Sequence, residues 1–276
     1  MDILENSIYN SVNGFVISEN TYINKGKIYK VYTDEFGFIS IYTKNSEMFL
    51  SLYSNYNFKL MYKNEFFYCN EYELIDFYKF KSKDQILFLN ILSEIIVKTN
   101  VQELKNLEVY NLIDEILQTK YLDYNMLLTY FILKYLLYNG YHIIFENNKY
   151  LDYYNFDISE LLINSNLKMH IKYNYLINNF EYNYIYLLYH SDSIRNFETI
   201  DFKVNKERIL GLLVNALCLN FNVYRLNSYN LRWYDVLYKK RKNRRNQRKS
   251  RYCFCSEWLF IYKKEWKILY GKLSFS

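Results

Sequence analysis

Nine of the thirteen residues at 239–251 are basic: Lys239, Lys240, Arg241, Lys242, Arg244, Arg245, Arg248, Lys249 and Arg251, with no acid among them. The chemistry open to such a run is recognition of a polyanion, not bond making. Each Lys or Arg seated on a phosphate releases a condensed counterion, which gives affinity that falls steeply with salt. From Arg232 to the C-terminus fourteen basic side chains stand against three acids, Asp235, Glu257 and Glu265, a net of +11. The preceding 231 residues hold 21 basic and 26 acidic side chains, a net of −5. The overall charge of +6 is therefore set by the last segment. Nucleic acid is the leading partner for this block; an anionic lipid surface and a merely solvated tail are the alternatives.

Bond-making chemistry finds little to stand on. The six glycines, at positions 14, 26, 37, 140, 211 and 271, allow neither GxGxxG nor GxxxxGK[ST], and no GxSxG elbow is present. Asp34/Glu35 fit a tight turn, and Asp114/Glu115 fit the polar side of an amphipathic helix. His142, His170 and His190 stand apart in the chain and make no HExxH. The four cysteines, Cys69, Cys218, Cys253 and Cys255, lack the paired spacing of a zinc knuckle and fit a reducing compartment. A non-catalytic protein without cofactor or metal is expected.

Composition bounds the setting. Zero Pro, six Gly and 34 Tyr accompany abundant Asn, Ile, Phe and Lys, the residues of A/T-rich codons, so much of the tyrosine reflects mutational bias. At 51% hydrophobic over 276 residues the chain can bury a sizeable core. Residues 1–10 carry Asp2 and Glu5 and no basic n-region, which argues against a secretory signal. The apolar stretches 126–138 and 209–221 are too short to span a bilayer. No membrane partner is expected, and the expected location is cytoplasmic, bacterial or in the matrix or stroma of an organelle.

Three regions must position these groups: 1–80, 81–231 and 232–276. In the first, β-rich segments at 12–18, 27–33, 38–43, 57–62 and 66–77 are split by turns, which predicts a small closed barrel or sandwich. Aromatic side chains on such a barrel, with cations beside them, form a platform for single strands; the candidates are Tyr22, Tyr29, Tyr32, Phe38 and Tyr42 near Lys25, Lys27, Lys30 and Lys44. In the second region the period changes to about 3.6. Helices are predicted from an N-cap at Ser82 with Gln85 behind it, over 101–119, over 125–138 ending at Asn139-Gly140, over 205–220, and from 228 to about 245. The stretch 147–201 is Tyr- and Asn-rich and weakly periodic.

This layout resembles the RecO family of bacterial recombination mediators. The residues that carry the likeness are Gly14-Phe15-Val16-Ile17, the strand 27–31, and Thr33-Asp34-Glu35-Phe36-Gly37-Phe38-Ile39-Ser40, similar to the family's T-x-x-x-G hairpin. They continue through 52–60, 86–97, the helix 127–140 ending in Gly140-Tyr141, and 205–227. The resemblance implies an α+β chain: a five-stranded OB-fold barrel, an all-α helical domain and, here, a basic C-terminal extension. It further implies binding of single- and double-stranded DNA, strand annealing in DNA repair, partnership with a RecR-like protein and single-strand-binding protein, and no catalytic residues. The family's four-cysteine zinc site has no counterpart at 147–201. An RNA-binding structural protein, such as an organellar ribosomal component, is the alternative.

Overall fold

A computed structural model describes residues 7–22, 26–43, 48–78, 82–119, 123–146, 151–165, 173–197 and 199–229. Five strands open the chain: β1 (Ile8–Tyr22), β2 (Gly26–Thr33), β3 (Gly37–Thr43), β4 (Asn55–Lys63) and β5 (Phe66–Asp76). They close into a barrel in the order β1-β2-β3-β5-β4. Every pairing is antiparallel except a short parallel contact, Ile41↔Phe67 and Tyr42↔Tyr68, between β3 and β5. The fifteen residues of β1 reach both neighbours, pairing with β2 at one end and β4 at the other, with a bulge in each ladder that bends the strand around the barrel.

Period-two alternation decides the two faces. Val12, Val16, Tyr29, Val31, Ile39, Ile41, Phe58, Leu60 and Phe67 fill the interior. Their alternates Phe15, Ile17, Tyr32 and Phe38 point outward and are buried by the helical layer, so the barrel wall and the helices share one core. At the β2–β3 turn Thr33 Oγ1 accepts from Phe36 N and donates to the Gly37 carbonyl, both at 3.0 Å. Gly37 has φ +66°, and a Cβ there would lie 2.0 Å from the Leu104 carbonyl oxygen. Only glycine fits that approach.

The helical layer starts as its caps dictate. In α1 (Lys83–Thr99) the Ser82 hydroxyl accepts from Gln85 N at 3.1 Å. The second helix, α2 (Leu107–Gln118), begins at an Asn106 cap, six residues later than the apolar spacing predicts. In α3 (Tyr124–Tyr138) every residue of 126–136 is buried, and the helix ends at Asn139 with Gly140 at φ +84°. Ser93 on α1 ties the layers together: its Oγ lies 3.1 Å from the Ile17 carbonyl and 2.9 Å from the Tyr53 hydroxyl.

The region 81–231 is not all-α. It contains a four-stranded sheet, β6 (Ile144–Phe145), β7 (Tyr153–Asp157), β8 (Leu162–Asn164) and β9 (Asn174–Asn178), in the order β6-β8-β7-β9. No alternation announces β7, because it buries Asn155 and Asp157 beside Tyr154 and Phe156. Their polar groups are satisfied locally: Asn155 donates to Asn174 at 2.6 Å, and Asp157 accepts from Ser159 N and Oγ. Helix α4 (Asn179–His190), a 3-10 turn (Ile194–Phe197) and α5 (Lys206–Asn220) follow. The class is thus α+β, with a closed five-stranded mixed barrel ahead of the helices. The chain is helical again at 227–229; the rest of the helix expected to about 245 lies outside the described residues. Among the described residues no helix is long and apolar enough to cross a membrane.

Candidate nucleic-acid interface

Lys239, Lys240, Arg241, Lys242, Arg244, Arg245, Arg248, Lys249 and Arg251 lie outside the described residues, as do Lys25 and Lys44. Tyr22 ends β1, and its side chain is outside them too. The expected stacking platform is not available on three of its aromatics. Tyr29 is enclosed by the barrel, its hydroxyl donating to the Met48 carbonyl at 3.0 Å. Tyr32 and Phe38 are sealed under the helical layer, with the Tyr32 hydroxyl 3.5 Å from the Asn106 carbonyl and its pKa driven up by burial. None of these rings has a free face for a base. Tyr42 is half-buried and meets Tyr68 edge-on at 5.5 Å.

The two candidate barrel lysines that are described, Lys27 and Lys30, have different surroundings. Lys27 donates to Glu19 at 3.3 Å and to the Met48 carbonyl at 3.3 Å. Burial lowers its pKa, but Glu19 and the Tyr29 hydroxyl outweigh that and leave it raised. This cation is already paired. Lys30 meets no carboxylate among the described residues: its Nζ donates to Ser40 Oγ at 2.5 Å and sits 5.8 Å from the Phe38 ring centroid. Burial lowers its pKa.

Lys30 and Ser40 open into a cleft of about 200 Å³ that crosses β1, β2 and β3. Its floor is Ile28, Lys30 and Ser40; Asn20 stands on the β1 side, and the β4–β5 turn supplies Glu65 and the half-exposed ring of Phe66. The far wall is Gln102 and Glu103, held against β3 by the Glu103 N–H to Phe38 carbonyl bond of 3.0 Å and by Gln102 Nε2 reaching Ser40 Oγ at 3.4 Å. Glu65 and Glu103 are both held at positive φ, +64° and +62°, a backbone state that costs about 1 kcal/mol or more for a non-glycine residue and gathers at functional sites.

The volume falls short of the roughly 300–1,000 Å³ of small-molecule pockets and suits one flat polar group. An amine, a hydroxyl and two amides provide donors and acceptors, and Phe66 provides an apolar wall. Two carboxylates against one ammonium make the cleft poor for phosphate. A second aromatic–cation pair lies nearby, with Lys27 5.4 Å from the exposed Phe49 ring. Sequence reasoning missed Phe66, Ser40, Gln102 and Glu103. One signal was present: Asn64-Glu65 between two strands, a two-residue loop with both φ positive, which places Phe66 at the rim. Among the described residues no cluster of three or more His, Cys, Asp or Glu is arranged to hold a metal ion. No protein-family model matches the chain, and no curated protein matches it.

Proposed function

We propose that the protein binds single-stranded nucleic acid in two parts, with phosphates on the basic block at 239–251 and bases at the cleft across β1–β3. The observation that carries this reading is the closed β1-β2-β3-β5-β4 barrel with a polar, aromatic-rimmed cleft on the outside of its first three strands. That strand order and its parallel β3–β5 closure support an OB-fold, a scaffold whose outer strand face and loops bind single strands. Barrel followed by helices, together with the resemblance of 12–228 to RecO, supports a DNA-binding and strand-annealing mediator of repair, working in the cytoplasm or an organelle matrix with a RecR-like protein and single-strand-binding protein. Residues 1–80 hold seven Lys and ten acids. Phosphate affinity therefore falls to the C-terminal segment, and the barrel contributes stacking and hydrogen bonds.

The test is fluorescence anisotropy of a short single-stranded DNA over a salt series. Removing 239–276 is expected to weaken binding greatly and to flatten the salt slope by roughly 0.7 for each phosphate no longer neutralised. Phe66→Ala is expected to weaken binding by about 1 kcal/mol or more with the slope unchanged, the mark of a stacking interaction. Unchanged affinity and slope after truncation would defeat the phosphate assignment. Preference for an RNA of the same sequence, with co-purification on ribosomes, would replace the DNA-repair reading by that of a structural RNA-binding protein.

A further inference from the structure

The β5 flank of the barrel differs in kind from the cleft. Past Tyr68, β5 has no ladder partner on its β3 side among the described residues, because the parallel contact ends at Tyr42↔Tyr68. Its other edge stays paired to β4 as far as Asn55↔Asp76. Residues 71–77 are all exposed, including Tyr72 (43%), Leu74 (50%), Ile75 (52%) and Phe77 (45%). Three large apolar side chains on a half-paired strand, with Phe77 just past its end, are the form of an edge that accepts another strand. The charge along this edge has one sign: Glu71, Glu73 and Asp76, with no Lys or Arg between Phe66 and Tyr78. Of these three acids, only Glu71 is in an ion pair with a described residue, a solvent-exposed one to Lys59 at 3.2 Å.

That sign selects the occupant. A second copy pairing β5 against β5 about a two-fold axis would gather six carboxylates within one short ladder, and like charges across a ladder are destabilising. A nucleic-acid backbone is repelled for the same reason. We infer that the β5 edge is a docking site for an extended segment of a partner protein that alternates apolar with Lys or Arg side chains. Main-chain hydrogen bonds would add it as a sixth strand, its apolar side chains would cover Tyr72 and Leu74, and its cations would meet Glu73 and Asp76. Such docking is independent of whether the protein binds nucleic acid.

The full chain is titrated with two labelled synthetic peptides, one alternating Val and Lys, the other Val and Glu, and amide hydrogen exchange is followed on β5. The Val/Lys peptide is expected to bind saturably and to slow exchange at 69–76, while the Val/Glu peptide, which the basic block at 239–251 can hold, leaves exchange at 69–76 unaltered. Glu73→Lys with Asp76→Lys is expected to weaken the first peptide at least tenfold and to gain slowing of exchange at 69–76 by the second. That gain also shows that the variant is folded. Absence of binding by the Val/Lys peptide, equal slowing at 69–76 by both peptides, slowed exchange only elsewhere, or a dimer of the free chain abolished by Leu74→Lys would each overturn the assignment.

Discussion

Two flanks of one barrel carry similar side chains and meet opposite fates. On the β1–β3 flank, Phe15, Ile17, Tyr32 and Phe38 are buried under the helical layer. On the β5 flank, Tyr72, Leu74, Ile75 and Phe77 stay about half-exposed. Aromatic and aliphatic content does not separate the two. What separates them among the described residues is a second layer: α1 and the segment leading to α2 cover the first flank, with the Leu104 carbonyl against Gly37 and Ser93 against Ile17. An alternating strand states that one face wants cover and leaves open which part of the chain provides it.

The covered flank is broken most severely at Gly37. Gly37→Ala adds a Cβ where the Leu104 carbonyl already stands and demands a left-handed backbone of alanine, so a loss of about 3 kcal/mol in urea unfolding is expected. Gly140→Ala has the same sign of φ with nothing within 4 Å and is expected to cost about 1 kcal/mol; equal losses at the two sites would remove the close approach as the cause. Next comes Ser93→Ala, expected to cost about 1–2 kcal/mol because it strips a buried partner from Ile17 and Tyr53. A smaller effect sits one residue on, on the adjoining side of α1. Glu94 accepts from Asn227 N at 2.7 Å and Ser228 N at 2.6 Å and pairs with Lys98 at 2.7 Å. Burial raises its pKa, and these donors more than reverse that, so it lies below the ordinary 4.5. A depressed carboxylate stabilises the fold above its unfolded value and loses that contribution as pH falls through the folded one. Glu94→Gln is thus expected to flatten the stability profile on the acid side of pH 4.5, measured by denaturant midpoints, and to leave it unaltered in shape near neutrality. The smallest effect belongs to the open flank. Leu74→Lys is expected to change stability by less than about 0.5 kcal/mol; a large loss would mean that the β5 edge is covered after all.

Much of the barrel was legible because its strands alternate and are separated by turns rich in Asn, Asp and Gly. The start of α2 was not. Val101 and Leu104 supply the spacing of a helical stripe, yet they are 68% and 61% exposed in the segment that crosses Gly37, and the helix begins only where Asn106 caps Val109. The sheet β6–β9 escaped because β7 buries polar residues. Helix α4 within the same stretch left a readable trace: Asn178 and Glu181 form a reciprocal capping box, and Arg208 then holds that same Glu181. Of the expected site residues, Lys30 lines the cleft, whereas Tyr29, Tyr32 and Phe38 are buried. Tyr29 and Tyr32 are odd and even members of one strand, so one had to face the barrel interior; only the helical layer decided the other.

The shared core carries a consequence for how this chain can be cut and recombined. Phe15, Ile17, Tyr32, Phe38 and Tyr53 belong to the barrel by sequence and to the helical cluster by packing. Each contributes about 1.5–3 kcal/mol when buried, together comparable to the net stability of a small domain. A barrel excised near residue 80 would leave those five side chains in water. Barrel and helices lie in one compact unit, Met1–Asn230, and a module taken from this chain has to carry the two together.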